Sequence, residues 1–196
     1  MDDDWSILER FYAGDESAFA IIFNQYQLKL INLAYRILRD RTRAEDIAQD
    51  VFVKVYEKKV KRDPLARLST WLYRVTVNAS LDDLRWRKFL TPFFKSFGQE
   101  NPDASGDGLL VEPRDFKTAN PREALEAGEI KHDVQHAIEA LPEKLRIPLE
   151  LYQFEDLPYA EIAAILHISP KAVERRLFHA REILRKKLGG YLALDR

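Results

Sequence analysis

Apolar residues along this chain recur at intervals of three and four and nowhere alternate over a strand's length, so the pattern predicts helices throughout. In the first block, from Trp5 to about Lys88, it predicts helices over 5–13, 16–39, 43–60 and 69–88. "GDES" separates the first two, with Gly14 ending one helix and Asp15 capping the next. From Phe89 to Asn120 the texture changes. Pro92, Gly98, Pro102, Gly106, Gly108 and Pro113 break any regular element, and "NPDASGDG" has the composition of a linker. A structureless stretch of that length is uncommon inside one compact domain and reads as a connector between two. Its first part, "FLTPFFKSF", is too apolar for a free linker and is expected to pack in part. Helical spacing resumes at Pro121, a favoured first helical residue, with helices predicted over 121–140, 142–154, 158–166 and 170–188. The expected fold is all-α: two small helical domains joined by a flexible linker, with boundaries at 1–90, 91–120 and 121–196.

The last two helices are hinged at "HIS". Ser169 is a good N-cap, Pro170 a good first helical residue, and Ile168 is placed to pin the turn to the preceding helix. On a wheel of about 100° per residue, Val173, Leu177, Ala180 and Leu184 form the core stripe. Lys171, Glu174, Arg175, Phe178, His179 and Arg185 fall on the far side. Ala160, Ile162, Ala163 and Ile165 allow close packing across the short turn. Helix, three-residue turn and helix with a polar outer face is the helix-turn-helix pattern, whose second helix fits the major groove. There Arg grips guanine and an aromatic touches a thymine methyl, which suits Phe178. The alternative is a plain helical hairpin in which Phe178 packs on the C-terminal "YLAL". His167 stands where such turns often place Gly with positive φ, a conformation His tolerates at some cost.

Two other helices carry candidate surfaces. "RAEDIAQDVFVKVYEK" turns Ala44, Ile47, Ala48, Val51, Phe52 and Val55 inward and presents Asp46, Gln49, Asp50, Val53 and Glu57 outward. An apolar residue inside an acidic and amide face suits docking of a basic partner helix; a solvated face with a stray Val is the alternative. The helix from Ser69 is apolar on two sides, Leu72, Val75 and Ala79 on one and Tyr73, Val77, Leu81 and Leu84 on the other. Asn78, Asp82 and Arg85 share a polar stripe between them. Held behind a basic loop with Pro64, with Trp71, Tyr73 and Trp86 interspersed, it suits a platform for strand backbone and splayed bases. A central bundle helix with an Asp82–Arg85 surface pair accounts for much of the same pattern.

Composition adds limits. The chain has 196 residues, 46% hydrophobic and 32% charged, in keeping with a globular protein that has a real core. Its net charge of −1 carries no basic-protein signal, but charge is segregated: seven Lys and Arg residues within 171–187 face only Glu174 and Glu182. No cysteine is present, which excludes disulfides, thiol catalysis and Cys-type zinc sites. The acidic start lacks a signal-peptide pattern, and no apolar run reaches the roughly 18 residues of a membrane span. These features predict a soluble, cytoplasmic protein. His132 and His136 lie four apart with Glu129 on the same stripe, a spacing able to hold a metal. Without a third-ligand motif nearby they read as an exposed helix face, so no metal site and no cofactor is expected. Nor does the chain carry a nucleophile–base pair or a phosphate-cradling Gly loop, so it is not expected to be an enzyme.

"GDESAFAIIFNQY", "AEDIAQDVFVKVY", "STWLYRVTVNASLDDLR" and "LPEKLRIPLELYQFEDLPYAEIAAILHISPKAVERRLFHARE" follow one another in this order. On these residues the chain resembles the extracytoplasmic-function (ECF, group 4) sigma factors of bacterial RNA polymerase, over both helical blocks. The resemblance implies sigma regions two and four, with region two spanning 1–90 and region four 121–196. It implies that Asp46, Gln49, Asp50 and Val53 dock on the beta-prime clamp helices of core polymerase. Lys61, Arg62, Ser69, Trp71 and Asn78 match the surface that reads the minus-10 promoter element and traps a flipped base. Lys171, Arg175, Phe178, His179 and Arg181 match the face that reads the minus-35 element. Glu100, Asp103, Asp107, Glu112 and Asp115 suit a linker that enters the RNA exit path. The implied partners are core polymerase, promoter DNA and an anti-sigma factor, with no membrane insertion.

The sequence also departs from the family pattern. The recognition helix reads Ala172, Val173, Glu174, Arg175 where Thr-Val and a Ser are usual, and Glu174 either accepts from a cytosine amine or repels phosphate. Pro158 replaces a capping Ser, and His167 the turn Gly. The competing reading is a helix-turn-helix repressor or activator acting without core polymerase, which has no need of the acidic docking helix.

Overall fold

The computed structural model describes residues 4–60, 67–96 and 132–192. By their internal contacts the residues fall into two compact units, Met1–Val111 and Glu112–Arg196. The described residues are helical wherever they are regular.

In the first unit, α1 (Asp4–Tyr12) is followed by α2 (Glu16–Leu38), α3 (Arg41–Tyr56) and α4 (Leu68–Ser96). Gly14 turns the chain at φ +109°, a conformation open to glycine at little cost, and the Asp15 carboxylate accepts the Ser17 amide at 3.1 Å. α2 ends at Arg39, which is left-handed and donates its amide to the Tyr35 carbonyl at 2.8 Å. Asp40 follows directly as the N-cap of α3, accepting the Arg43 amide at 3.0 Å. Leu30 and Leu33 of α2, Val51 and Val55 of α3, and Leu68 and Leu72 of α4 are fully buried together with Ile22 and Val77. Rings from α1, α2 and α3 add a satellite cluster: Phe11 lies 5.2 Å from Phe19, and Phe23 lies 4.8 Å from Phe52.

Two boundaries differ from the pattern. α3 stops at Tyr56 rather than near residue 60, because Lys58 turns left-handed at φ +58° and swings Val60 into the core. The Lys58 ammonium then donates to the Tyr12 carbonyl at 2.9 Å, tying this turn to the end of α1. α4 runs on to Ser96, into the stretch expected to begin the connector.

The polar residues of α4 fall into two groups. Asn78, Asp82 and Arg85 are exposed as expected, and Arg85 pairs with Asp82 at 2.7 Å. The two apolar sides, however, meet across Thr76 and Ser80, both fully buried. Each hydroxyl donates to the carbonyl one turn back, Thr76 to Leu72 at 2.9 Å and Ser80 to Thr76 at 2.8 Å. A hydroxyl satisfied by its own helix can be buried without an outside partner, so these small residues serve as close-packing core positions.

In the second unit, residues 132–139 form α5, followed by α6 (Glu143–Phe154), α7 (Tyr159–Leu166) and α8 (Pro170–Leu192). Leu151, Ile162, Ile165, Val173, Leu177 and Ala180 are fully buried and join α6, α7 and α8. α8 continues past the expected end at 188. The helix expected over 121–140 is described only from 132 onward. Lys61, Arg62, Glu129 and the linker acids Glu100, Asp103, Asp107, Glu112 and Asp115 lie outside the described residues.

Candidate functional site

The α7–α8 hinge is built as its residue types require. His167 ends α7 in the left-handed region, at φ +53°, and donates its amide to the Ala163 carbonyl. The Ile168 amide bonds the same carbonyl at 3.1 Å, which closes the turn. The Ser169 hydroxyl accepts the Ala172 amide at 3.2 Å and Pro170 opens α8. Pro158 begins α7 with no side-chain cap.

With Val173, Leu177 and Ala180 inward, α8 turns Lys171, Glu174, Arg175, Phe178, His179 and Arg181 outward, all of them exposed. Phe178 is 60% exposed, with its ring 5.8 Å from that of His179. An aromatic left this open gains nothing from the core. The side chains of 191–194, the alternative packing partner, lie outside those described. Tyr159, Lys171, Glu174, Arg175, Phe178 and Arg181 line one open groove. The cations along it are not equivalent. Arg181 stacks its guanidinium over the Tyr152 ring at 5.1 Å, and Arg185 is held by Glu182 one turn back. Among the described residues, Lys171 and Arg175 enter no ion pair. They are the two free cations of this groove, with Glu174 between them as an anion likewise unpaired among the described residues.

On α3, Asp46, Gln49, Asp50 and Val53 are all exposed, and they share one side of the helix. Val53 is 45% exposed and Tyr56, one turn on, 58%. Tyr56 extends the apolar strip, resting its ring 5.6 Å from Phe11 and 5.5 Å from Phe19. Sequence reasoning did not single it out, since it took Val53 as the apolar member of the outward face. It also missed the anchor of this helix. Arg43 pairs with Asp83 of α4, Arg87 lies 2.7 Å from Asp83 and 2.8 Å from Asp40. The Asp83 hydrogen bond holds the Arg43 guanidinium even more firmly protonated than usual, outweighing its partial burial. The only sequence signal was the i, i+4 spacing of Asp83 and Arg87.

Of the residues matched to the minus-10 surface, Ser69, Trp71 and Asn78 are described, all on α4. Trp71 and Asn78 lie one above the other on α4, seven residues apart, half-buried and exposed respectively. Ser69 is turned instead toward α2, where it engages the Tyr26 hydroxyl. That hydroxyl donates to Asp4; burial first and Asp4 second push its pKa far above the ordinary tyrosine value. Farther along α4, Trp86 and Phe89 are stacked with ring centroids 5.9 Å apart and are 60% and 72% exposed. The stacking partner Phe89 was not singled out in the sequence.

Comparison with known proteins matches both units. The model of Sigma-70 region 2 covers residues 22–89 and that of Sigma-70 region 4 covers 131–184. The chain is 32% identical over 188 residues to the RNA polymerase sigma-H factor of Pseudomonas aeruginosa, covering 96% of this chain and 95% of that protein. It is 33% identical over 176 residues to the ECF RNA polymerase sigma factor SigW of Bacillus subtilis, covering 89% and 91%. Among solved structures, the fold is similar to the sigma factor RpoE crystallised with the anti-sigma factor NepR from Bartonella quintana. The TM-score is 0.63 at 20% identity, over 91% of this chain and 98% of that one. It is similar also to CnrH in complex with the cytosolic domain of CnrY, at TM-score 0.62 and 22% identity over the whole of both chains. With both sigma regions matched in order and two relatives above 30% identity over most of their lengths, the chain belongs to the extracytoplasmic-function family of RNA polymerase sigma factors.

Proposed function

We propose that this protein directs core RNA polymerase to a set of promoters and helps to open them, the polymerase carrying out all catalysis. The observation that carries the reading is the outer face of α8, where two unpaired cations, Lys171 and Arg175, flank a Phe178 that is 60% exposed. That combination serves a ligand with anionic backbone and apolar base edges, and no contact among the described residues requires it. In this reading Lys171 and Arg175 hold the minus-35 duplex, Phe178 and His179 face its base edges, and Arg181, stacked on Tyr152, takes a fixed position beside them.

The acidic strip Asp46, Gln49, Asp50 and Val53 serves as the polymerase dock. It offers carboxylates and an amide around an apolar centre, the complement of a basic amphipathic helix such as those of the beta-prime clamp. Trp71 and Asn78 face the displaced strand of the minus-10 element, where an aromatic stacks a base and an amide reads its edge. A free-standing helix-turn-helix regulator has no use for the α3 strip. Of two proteins of similar fold, one is a sigma factor solved with an anti-sigma factor and the other, CnrH, was solved with the cytosolic domain of CnrY. A comparable inhibitor covering the α3 strip is proposed here as well. No helix among the described residues is long and apolar enough to cross a membrane.

The test is co-purification with bacterial core polymerase, followed by run-off transcription from a library of random promoters. Core binding, with start sites that share two spaced motifs, is the expected result. A chain that shifts palindromic DNA alone and fails to bind core is a free-standing regulator instead.

A further inference from the structure

α5 carries two histidines one turn apart, and their rings face each other. The Nε2 atoms of His132 and His136 lie 3.1 Å apart, with ring centroids separated by 4.3 Å. The side chains are 69% and 64% exposed, so no packing forces them together. Behind each ring stands a carboxylate. His132 Nδ1 is 3.7 Å from Asp133 Oδ1, and His136 Nδ1 is 3.8 Å from Glu139 Oε2.

Across that 3.1 Å the neutral rings share one proton, the Nε2–H of one donating to the bare Nε2 of the other. A cation between the two Nε2 atoms takes the place of that proton, and each ring then carries its own proton on Nδ1, toward the carboxylate behind it. The spacing fits such a cation. Two imidazole nitrogens at about 2.0–2.1 Å from a single ion are roughly 2.9–3.4 Å apart for octahedral to tetrahedral angles. A carboxylate behind a ligating imidazole is the usual arrangement that orients the ring and strengthens the bond.

We propose that His132 and His136 form a two-point chelate for a divalent first-row transition ion, with both Nε2 atoms as ligands and water completing the shell. Among the described residues no group of three or more His, Cys, Asp and Glu side chains is disposed to hold a metal, so the site is open and exchangeable. Neutral imidazole pairs select copper, nickel and zinc over magnesium and calcium, with copper bound most tightly. The chelate spans one turn of a helix described over eight residues, 132–139, and sits inside the region 4 match at 131–184. Occupancy therefore staples the first described turn of the unit that bears the reading helix, and stabilises it by mass action.

The experiment is calorimetric titration of the full-length, untagged chain with Zn²⁺, repeated with Cu²⁺, for the parent and for His132→Gln, His136→Gln, the double variant and His179→Gln. One Zn²⁺ per chain is expected, with Cu²⁺ tighter. Either single variant loses at least tenfold in affinity and the double is no worse than a single, because a chelate fails when one arm is removed. His179→Gln binds as the parent does. In parallel, Zn²⁺ slows amide exchange across 133–140 in the parent and in neither single variant. Unchanged affinity in the single variants, losses that merely add, or an equal loss in His179→Gln each overturns the chelate.

Discussion

Arg87 of α4 holds Asp40, the residue that caps α3, with Nη2 2.8 Å from Oδ2. The same Asp40 accepts the Arg43 amide through its other oxygen, and the Arg43 guanidinium reaches back to Asp83, one turn before Arg87. Four charged groups thus close a ring between the start of α3 and the middle of α4. The ring sets where α3 begins, and with it the height at which Asp46 and Asp50 present their carboxylates.

Asp40→Asn tests that ring, because Asn still caps a helix and only the charge is lost. The Asp40 and Arg87 side chains are 16% and 19% exposed, so the pair is worth more than a surface pair, about 1–2 kcal/mol at neutral pH. Burial pushes the Asp40 carboxyl up, but the Arg43 amide and the Arg87 guanidinium outweigh it and hold it below the ordinary range. A depressed carboxylate stabilises the fold fully above its unfolded value of about 3.9 and loses that contribution as pH falls through the lower folded value. Urea denaturation of parent and variant is expected to differ at pH 7 and to converge as pH falls below the folded-state value of Asp40. A difference that persists unchanged in acid assigns the effect to shape, not charge.

The hinge of the second unit was legible in the sequence down to single residues. Ser169, Pro170 and Ile168 act through local chemistry, and even the positive φ at His167 follows from the turn it occupies. The outward strip of α3 was legible too, since helical periodicity alone separates Asp46, Gln49, Asp50 and Val53 from the core. What was hidden depends on tertiary partners. Thr76 and Ser80 look like surface residues until their hydroxyls are seen bonded to their own helix. Ser69 faces Tyr26 because α2 lies beside it, and α3 ends early at the left-handed Lys58, whose ammonium ties the turn to the Tyr12 carbonyl. Periodicity encodes neither the contacts between separate helices nor the burial of a hydroxyl that its own helix satisfies.

His167 invites a stabilising change. A non-Gly residue in the left-handed region costs about 1–2 kcal/mol, and Gly gives back about 0.5–1 kcal/mol of that in unfolded-chain entropy. His167→Gly is therefore expected to stabilise the second unit by roughly 0.5–1 kcal/mol, and His167→Val to destabilise it by more. Thermal unfolding monitored by circular dichroism reads both. A loss of stability in the Gly variant points to a contact made by the imidazole.

Asp50→Lys reverses one charge at the centre of the α3 strip, where the side chain is exposed and free to turn. The fold is expected to survive within about 0.5 kcal/mol. Affinity for core polymerase is expected to fall tenfold or more, since a like charge meets the basic partner. Fluorescence anisotropy of labelled protein against core enzyme measures it, and an unchanged affinity removes this surface from the dock.

Phe178→Ala is expected to reduce discrimination at one upstream promoter position by about 1–3 kcal/mol, leaving overall stability little changed because the ring is 60% exposed. Glu174→Gln separates the two roles open to that carboxylate. Gained affinity for every sequence means that it repels phosphate, and a lost preference for cytosine at one position means that it accepts from the base. Selection of bound sequences from a randomised upstream element reads both variants at once.

Arg181 is held differently from its neighbours, and the difference is testable. Its guanidinium rests 5.1 Å above the Tyr152 ring, so the aromatic of α6 fixes the direction in which the charge points. A cation held in this way suits a phosphate better than a base edge, which demands freedom to form two hydrogen bonds. Arg181→Ala should weaken DNA binding about equally for all sequences and lower the slope of affinity against salt by about one unit. Tyr152→Leu keeps the charge but removes the ring, so it should reproduce part of the loss in affinity with the salt slope nearly intact. Tyr152→Phe retains the ring face and is expected to behave as the parent. Should Arg181→Ala instead relax preference at a single base pair, the residue reads sequence, and the ring of Tyr152 then positions a base contact.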